Sequence, residues 1–172
     1  MELEERVAEL ERRLAALEES REAAPPPPTT GGDLWALNGF KEQLAGIGAD
    51  TGGVLFTGSV RLPTQERYEW QYGALTDGLL DDGGDWAAVA DSLAALGHAV
   101  RLRLLREILG GRRTAAELAE LEGLGTTGQI YHHLRQLTAA GWLRTAARGR
   151  YEVPATRVVP LLVALTAARP QA

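Results

Sequence analysis

Thr127, Gly128, Gln129, Tyr131 and His132 crowd small and polar groups onto the first turns of one helical stretch. Glutamine can pair with adenine through two hydrogen bonds, and threonine methyls can meet thymine methyls. A glycine there lets the backbone come close to a groove. Arginines lie around this stretch: Arg112 and Arg113 before it, Arg135 within it, and Arg144, Arg148 and Arg150 after it. Guanidinium groups so distributed suit phosphate oxygens or a minor groove. Catalytic chemistry finds no comparable set. Asp81, Asp82 and Asp85 lie among glycines and read as turn and cap residues rather than metal ligands. Thr51–Gly53 lacks the lysine of a phosphate loop, and no order of Ser, His and Asp points to a nucleophile. The chain has no cysteine, and His98, His132 and His133 do not alternate with carboxylates at ligand spacing. No enzyme activity, cofactor or metal site is expected.

The charge distribution supports a polyanion partner for one half of the chain. Net charge over the 172 residues is −5. Residues 1–91 hold 7 Lys and Arg against 18 Asp and Glu, whereas residues 92–172 hold 11 Arg against 5 Glu. A basic module is therefore joined to an acidic one, and only the basic one has the balance that nucleic acid attracts. No run of apolar residues is long enough for a membrane span, and the acidic start lacks the form of a signal peptide. The expected location is the cytoplasm.

Several elements must hold these groups in place. Residues 1–22 carry apolar residues at Leu3, Val7, Leu10, Leu14 and Leu17, an a/d seam in which Leu3 is a d position. In this register Arg6 and Arg13 are g positions, and Glu11 and Glu18 are the following e positions, so a parallel pair matches opposite charges across the seam. A parallel coiled-coil homodimer is expected, because a helix this short needs a partner. Residues 23–32, with Pro25–Pro28 and Gly31–Gly32, form a linker. Residues 33–83 read as a helix over Leu34–Ile47 packed against a β-hairpin of Gly52–Leu62 and Tyr68–Leu75.

Residues 84–172 are helical in pattern. Asp85 can cap Trp86–Leu96, and Gly97 ends that helix. Helices follow at about His98–Leu109, at Ala115–Leu121 behind the capping box of Thr114 and Glu117, and at about Thr127–Ala140. Trp142–Val153 can fold into a small hairpin around Ala147–Gly149, and a last helix covers Val159–Ala168 with Pro160 in its first turn. Ile130, Leu134 and Leu137 define the buried stripe of the fourth helix. His133 lies at its edge and is expected to be a mostly buried structural histidine. Arg101, Arg103 and Arg106 are open to solvation or to pairing with Glu107 or Glu117.

Two short helices joined by a glycine turn, then a basic hairpin, is the order of a winged helix-turn-helix. Residues 93–153 resemble the ArsR-type winged-helix regulators. The resemblance is carried by RLRLLREIL in the first core helix, TAAELAE at the turn, IYHHLRQLTAAGWL in the recognition helix, and the arginine-rich wing. Three departures stand out: His98-Ala99-Val100-Arg101 replaces the usual Asp-Pro-Thr-Arg lead-in, Thr126-Thr127-Gly128-Gln129 replaces the usual serines at the start of the recognition helix, and the cysteines of the metal-sensing members are missing. What the resemblance implies is therefore a DNA-binding fold and not metal sensing.

The expected fold is mainly α with small β elements: a winged helix-turn-helix core, an added β-hairpin and an N-terminal coiled-coil helix. The function expected is that of a dimeric repressor reading an inverted repeat in double-stranded DNA. Two alternatives remain open. One is a winged-helix module that binds a protein partner. The other is a regulator responsive to a small-molecule effector, sensed through the aromatic region. Trp35, Tyr68, Trp70 and Tyr72 make up half of all tryptophans and tyrosines in the chain, and they can serve as core, as an interface or as the lining of a ligand pocket.

Overall fold

The computed structural model describes residues 34–170 together with Arg6, Val7 and Arg13. Val7 is helical and 46% exposed, and the other seam positions, Leu3, Leu10, Leu14 and Leu17, lie outside the described residues, as does the linker. The chain divides into two units, residues 1–43 and 44–172, with the boundary inside the first described helix, α1 (Trp35–Gly46). No described helix is long and apolar enough to cross a membrane.

The larger unit contains a long antiparallel hairpin, β1 (Gly53–Arg61) and β2 (Arg67–Leu75), in register from Gly53 opposite Leu75 to Arg61 opposite Arg67. A one-turn helix α2 (Thr76–Leu79) follows. Then come α3 (Trp86–Leu96), α4 (Ala99–Leu109), α5 (Ala115–Ala119) and α6 (Thr127–Ala139). A short hairpin, β3 (Arg144–Ala146) and β4 (Arg150–Glu152), turns through Ala147–Gly149, and α7 (Ala155–Ala167) ends the fold.

Local chemistry sets most boundaries. The Asp85 carboxylate accepts from Ala88 N at 3.0 Å and caps α3, so this acidic loop acts as turn and cap. His98 caps α4 by accepting from Val100 N at Nδ1. Both α5 and α6 open with capping boxes, Thr114 with Glu117 and Thr126 with Gln129. Each such pair satisfies two amide donors that the first helical turn otherwise leaves without partners.

The core lies between α4, α5, α6 and α7. Leu104, Leu105, Ile108, Leu118, Leu124, Ile130, Leu134, Leu137, Val158 and Leu161 are fully buried there. On α6 the buried residues recur at steps of 4 and 3, one face of a helix. Each fully buried leucine or isoleucine contributes about 1.5–3 kcal/mol. Trp142 seals one side: its indole N–H donates to Ser92 O at 3.0 Å, and the Arg157 guanidinium lies 4.8 Å from the ring centroid. The long hairpin joins this core near its turn, through buried Leu62 and the half-buried Val60 and Tyr68.

Helix α1 buries none of its residues, and Trp35 is 68% exposed. Within the larger unit the hairpin packs against α7. A Cβ at Gly58 would lie 2.6 Å from Val159 Cγ1, so only glycine lets the strand come so near the helix. One expectation needs correction: α7 begins at Ala155, not at Val159, because Pro154 supplies its N-cap; Pro160 is thus interior rather than in the first turn. Its ring nitrogen leaves the Thr156 carbonyl without its i+4 donor, a cost that burial of Val158, Val159 and Leu161 offsets. Of the aromatics, Tyr68 and Trp70 are half-buried, whereas Tyr72 is 55% exposed. The Trp70 indole N–H is buried without a hydrogen-bond partner among the described residues.

Candidate nucleic-acid interface

The turn between α5 and α6 is built on Gly123 and Gly125, with φ of 77° and 91°, while Leu124 between them is buried. Left-handed backbone on either side of an inward leucine lets the chain reverse in so few residues. Helix α6 then presents its stripe inward and its N-terminal polar face outward. Thr127, Gly128, Gln129, Tyr131, His132 and Arg135 are all exposed, Tyr131 by 46%.

One of these side chains has a prior commitment. Gln129 Oε1 accepts from Thr126 N at 2.8 Å, and Gln129 N donates to Thr126 Oγ1 at 3.3 Å. With its oxygen in the capping box, Gln129 keeps only its amide NH2 for an outside acceptor, and two-bond adenine reading requires both groups. The signature Thr-x-x-Gln at residues 126–129 is the local signal for this capping role of Gln129. At the front of α6, Thr127, Tyr131 and His132 are exposed and their side chains form no hydrogen bond among the described residues.

The arginines separate by geometry. Arg113 is expected to meet phosphate, but its guanidinium is bound to Glu66 and its side chain is only 18% exposed. That contact, helped by the Thr64 hydroxyl, holds the Glu66 carboxyl below the ordinary carboxylate range. Arg112 pairs with Glu107 at 3.3 Å and Arg144 with Glu152 at 2.6 Å, although both arginines remain more than half exposed. Arg135, Arg148 and Arg150 are exposed and form no ion pair among the described residues. Arg148 stands at the tip of the short hairpin with φ 63°, ψ 31°. A side chain in this left-handed region costs about 1–2 kcal/mol relative to the right-handed one. Arg101 has a structural role that its sequence context does not reveal. It donates to Ala95 O at 2.6 Å, Ala94 O at 2.8 Å and Gln136 Oε1 at 2.8 Å, joining the end of α3 to α6.

His133 is half-buried rather than a satisfied core histidine, because its Nδ1 has no hydrogen-bond partner among the described residues. Its ring centroid lies 4.7 Å from that of His98 and 5.7 Å from that of His132. Burial lowers its pKa, and His98, Arg101 and His132 push the same way, with Gln136 opposing weakly. The neutral form is thus favoured in the fold, and as pH falls the unfolded chain takes up this proton first. Stability is full above the ordinary histidine value, and it declines as pH falls through that value toward the lowered one. Between about pH 8 and 5 the melting temperature should therefore drop more in the native chain than in a His133→Gln variant. Equal drops would show that this ring does not govern the dependence. Among the described residues no three His, Asp or Glu side chains are placed to hold a metal ion.

A family model described as a helix-turn-helix domain matches residues 96–145. No curated protein and no solved structure matches the chain. The matched residues run from the end of α3 through α4, α5, the glycine turn and α6 into β3, so sequence and geometry agree that this segment is a helix-turn-helix domain, as found in DNA-binding regulators.

Proposed function

We propose that the protein is an ArsR-type, dimeric winged-helix repressor that acts in the cytoplasm by reading an inverted repeat in double-stranded DNA. The observation that carries this reading is the outward polar face at the start of α6, with Thr127, Tyr131 and His132 free beside a short arginine-tipped hairpin. Helix-turn-helix proteins place this part of the second helix against base edges in the major groove. Arg148 and Arg150, exposed and without an ion pair among the described residues, serve as the wing's phosphate contacts. A strained backbone at an exposed arginine gains nothing from packing, which favours a role in binding.

A dimer is supported by the heptad seam of residues 1–22 and by a second apolar surface. Trp86, Val89 and Leu93 recur at i, i+3 and i+7 on α3 and are each about half exposed or more, from 49% to 59%. Selection of duplexes from a randomised pool tests the proposal. It should enrich an inverted repeat with half-sites about one helical turn apart. Enrichment of no sequence would refute it.

The wing makes a separate prediction. Each phosphate contact steepens the fall of log K with log salt by about 0.9. Arg148→Ala with Arg150→Ala should therefore flatten the slope by about 1.8 while leaving the selected sequence nearly unchanged. An unchanged slope would remove the wing from the interface.

One observation favours an effector-responsive version of this reading. Thr57, Gly58, Ser59, Glu69, Trp70 and Gln71 line an open groove of about 390 Å³ on the long hairpin. The unsatisfied Trp70 indole belongs to the same residues. A small molecule bound there would raise the melting temperature and change the affinity for DNA by linkage.

A further inference from the structure

The segment Gly111–Thr114 leads from α4 into α5 and is held from three sides. From the wing, Tyr151 N donates to Arg113 O at 2.6 Å, and Thr114 forms a bridge with Arg150. From α5, Glu117 Oε2 accepts from Arg113 N at 3.0 Å and from Thr114 N at 2.8 Å. The third side is the turn of the long hairpin. Glu66 Oε2 receives the Arg113 guanidinium and the Thr64 hydroxyl, the latter at 2.7 Å. Thr64 Cγ2 also lies 3.1 Å from the position a Cβ would take on Gly111, so turn and segment are in close contact.

That turn is itself fixed. Leu62 N donates to Glu66 O and Gln65 N to Leu62 O, each at 2.9 Å, and Leu62 is buried in the main core. A fixed turn can hold a charged partner in one place, and this charge-assisted pair is partly shielded, with the Arg113 side chain 18% and the Glu66 side chain 38% exposed. The residue so held is the one whose carbonyl carries the wing strand.

We infer that Glu66 is a positioning residue for DNA binding: through Arg113 the turn of the added hairpin sets the wing, and so aims Arg148 and Arg150. This rests on the DNA-binding reading above. It gives the hairpin a role in the domain that neither composition nor periodicity assigns. It also joins the groove at Thr57–Ser59 to the wing through one continuous strand and turn.

Hydrogen exchange of the Tyr151 amide in the full chain tests the tie without DNA. Glu66→Gln should speed that exchange at least about fivefold while the amides of Leu134 and Leu137 keep their native rates. The same variant should raise the Kd for the preferred duplex about three- to tenfold, with the same sequence still selected. The reversed pair, Glu66→Arg with Arg113→Glu, should recover most of both effects. Glu66→Asp, which keeps the charge, should lie between native and Glu66→Gln if the reversed pair does not fold. Unchanged Tyr151 exchange in Glu66→Gln overturns the inference. So does faster exchange with native DNA affinity. If the native chain prefers no duplex, the functional reading fails instead, and the exchange result still decides whether the hairpin holds the wing.

Discussion

A chain carrying Tyr131→Ala and His132→Ala is expected to bind its preferred duplex about thirtyfold more weakly or worse, with its melting temperature almost unchanged. Removing one base-reading side chain costs about 1–3 kcal/mol, and about 1.4 kcal/mol is a factor of ten. Both side chains are exposed on α6, Tyr131 flanking the stripe that anchors the helix and His132 opposite it, so their removal opens no core cavity. Exposed substitutions of this kind change stability by about 0.5 kcal/mol at most. Binding to unrelated duplexes, which depends on phosphate charge, should survive with its salt dependence intact. Comparable weakening for preferred and unrelated duplexes would mean that these side chains do not read sequence.

The opposite pattern is expected one helical step away. Leu134 is fully buried at the centre of the α6 stripe, between Ile130 and Leu137 and within the core that α6 shares with α4 and α5. Leu134→Ala removes buried methyl groups and leaves a cavity, at a cost of about 2–5 kcal/mol. Domains have only about 5–15 kcal/mol in all, so a large share of the stability goes with one side chain. Urea unfolding should show a lower midpoint with an unchanged slope. DNA affinity, measured where the variant is still folded, should fall far less than in the double variant of Tyr131 and His132. A cost below about 1 kcal/mol would mean that this stripe is not what holds the helix in place.

The contrast between these neighbours explains what can be read from sequence. The steps between Ile130, Leu134 and Leu137 already separate an inward from an outward face, so the exposure of His132 follows from periodicity; Tyr131 flanks the stripe, and Thr127, in line with Ile130 and Leu134, is exposed at the first position of the helix. The same local rules locate Asp85, Thr114 and the glycines that end helices, because caps and turns depend on residues only a few positions apart. Pairings across long stretches of chain have no such signature. Glu66 with Arg113, Gly58 with Val159 and His98 with His133 are each set by packing of separate elements. Expectation and structure part at two of these residues: the Arg113 guanidinium is held by a carboxylate, and the His133 ring keeps a nitrogen without a partner among the described residues. Gln129 is a different case, since its capping signature is local but competes with an equally plausible role in reading bases. Pro160 shows a preference for helix starts overridden by Pro154, which takes the N-cap position.

On the proposed function, the front of α6 and the tip of the short hairpin together form the DNA-contacting surface. Titrating the preferred duplex into the isotope-labelled full chain and following each backbone amide maps that surface residue by residue. Shifts should concentrate at residues 126–135 and 147–150, and they should be small along the outer halves of β1 and β2. Shifts confined to the long hairpin, with those of α6 unmoved, would place the DNA elsewhere and overturn the proposal.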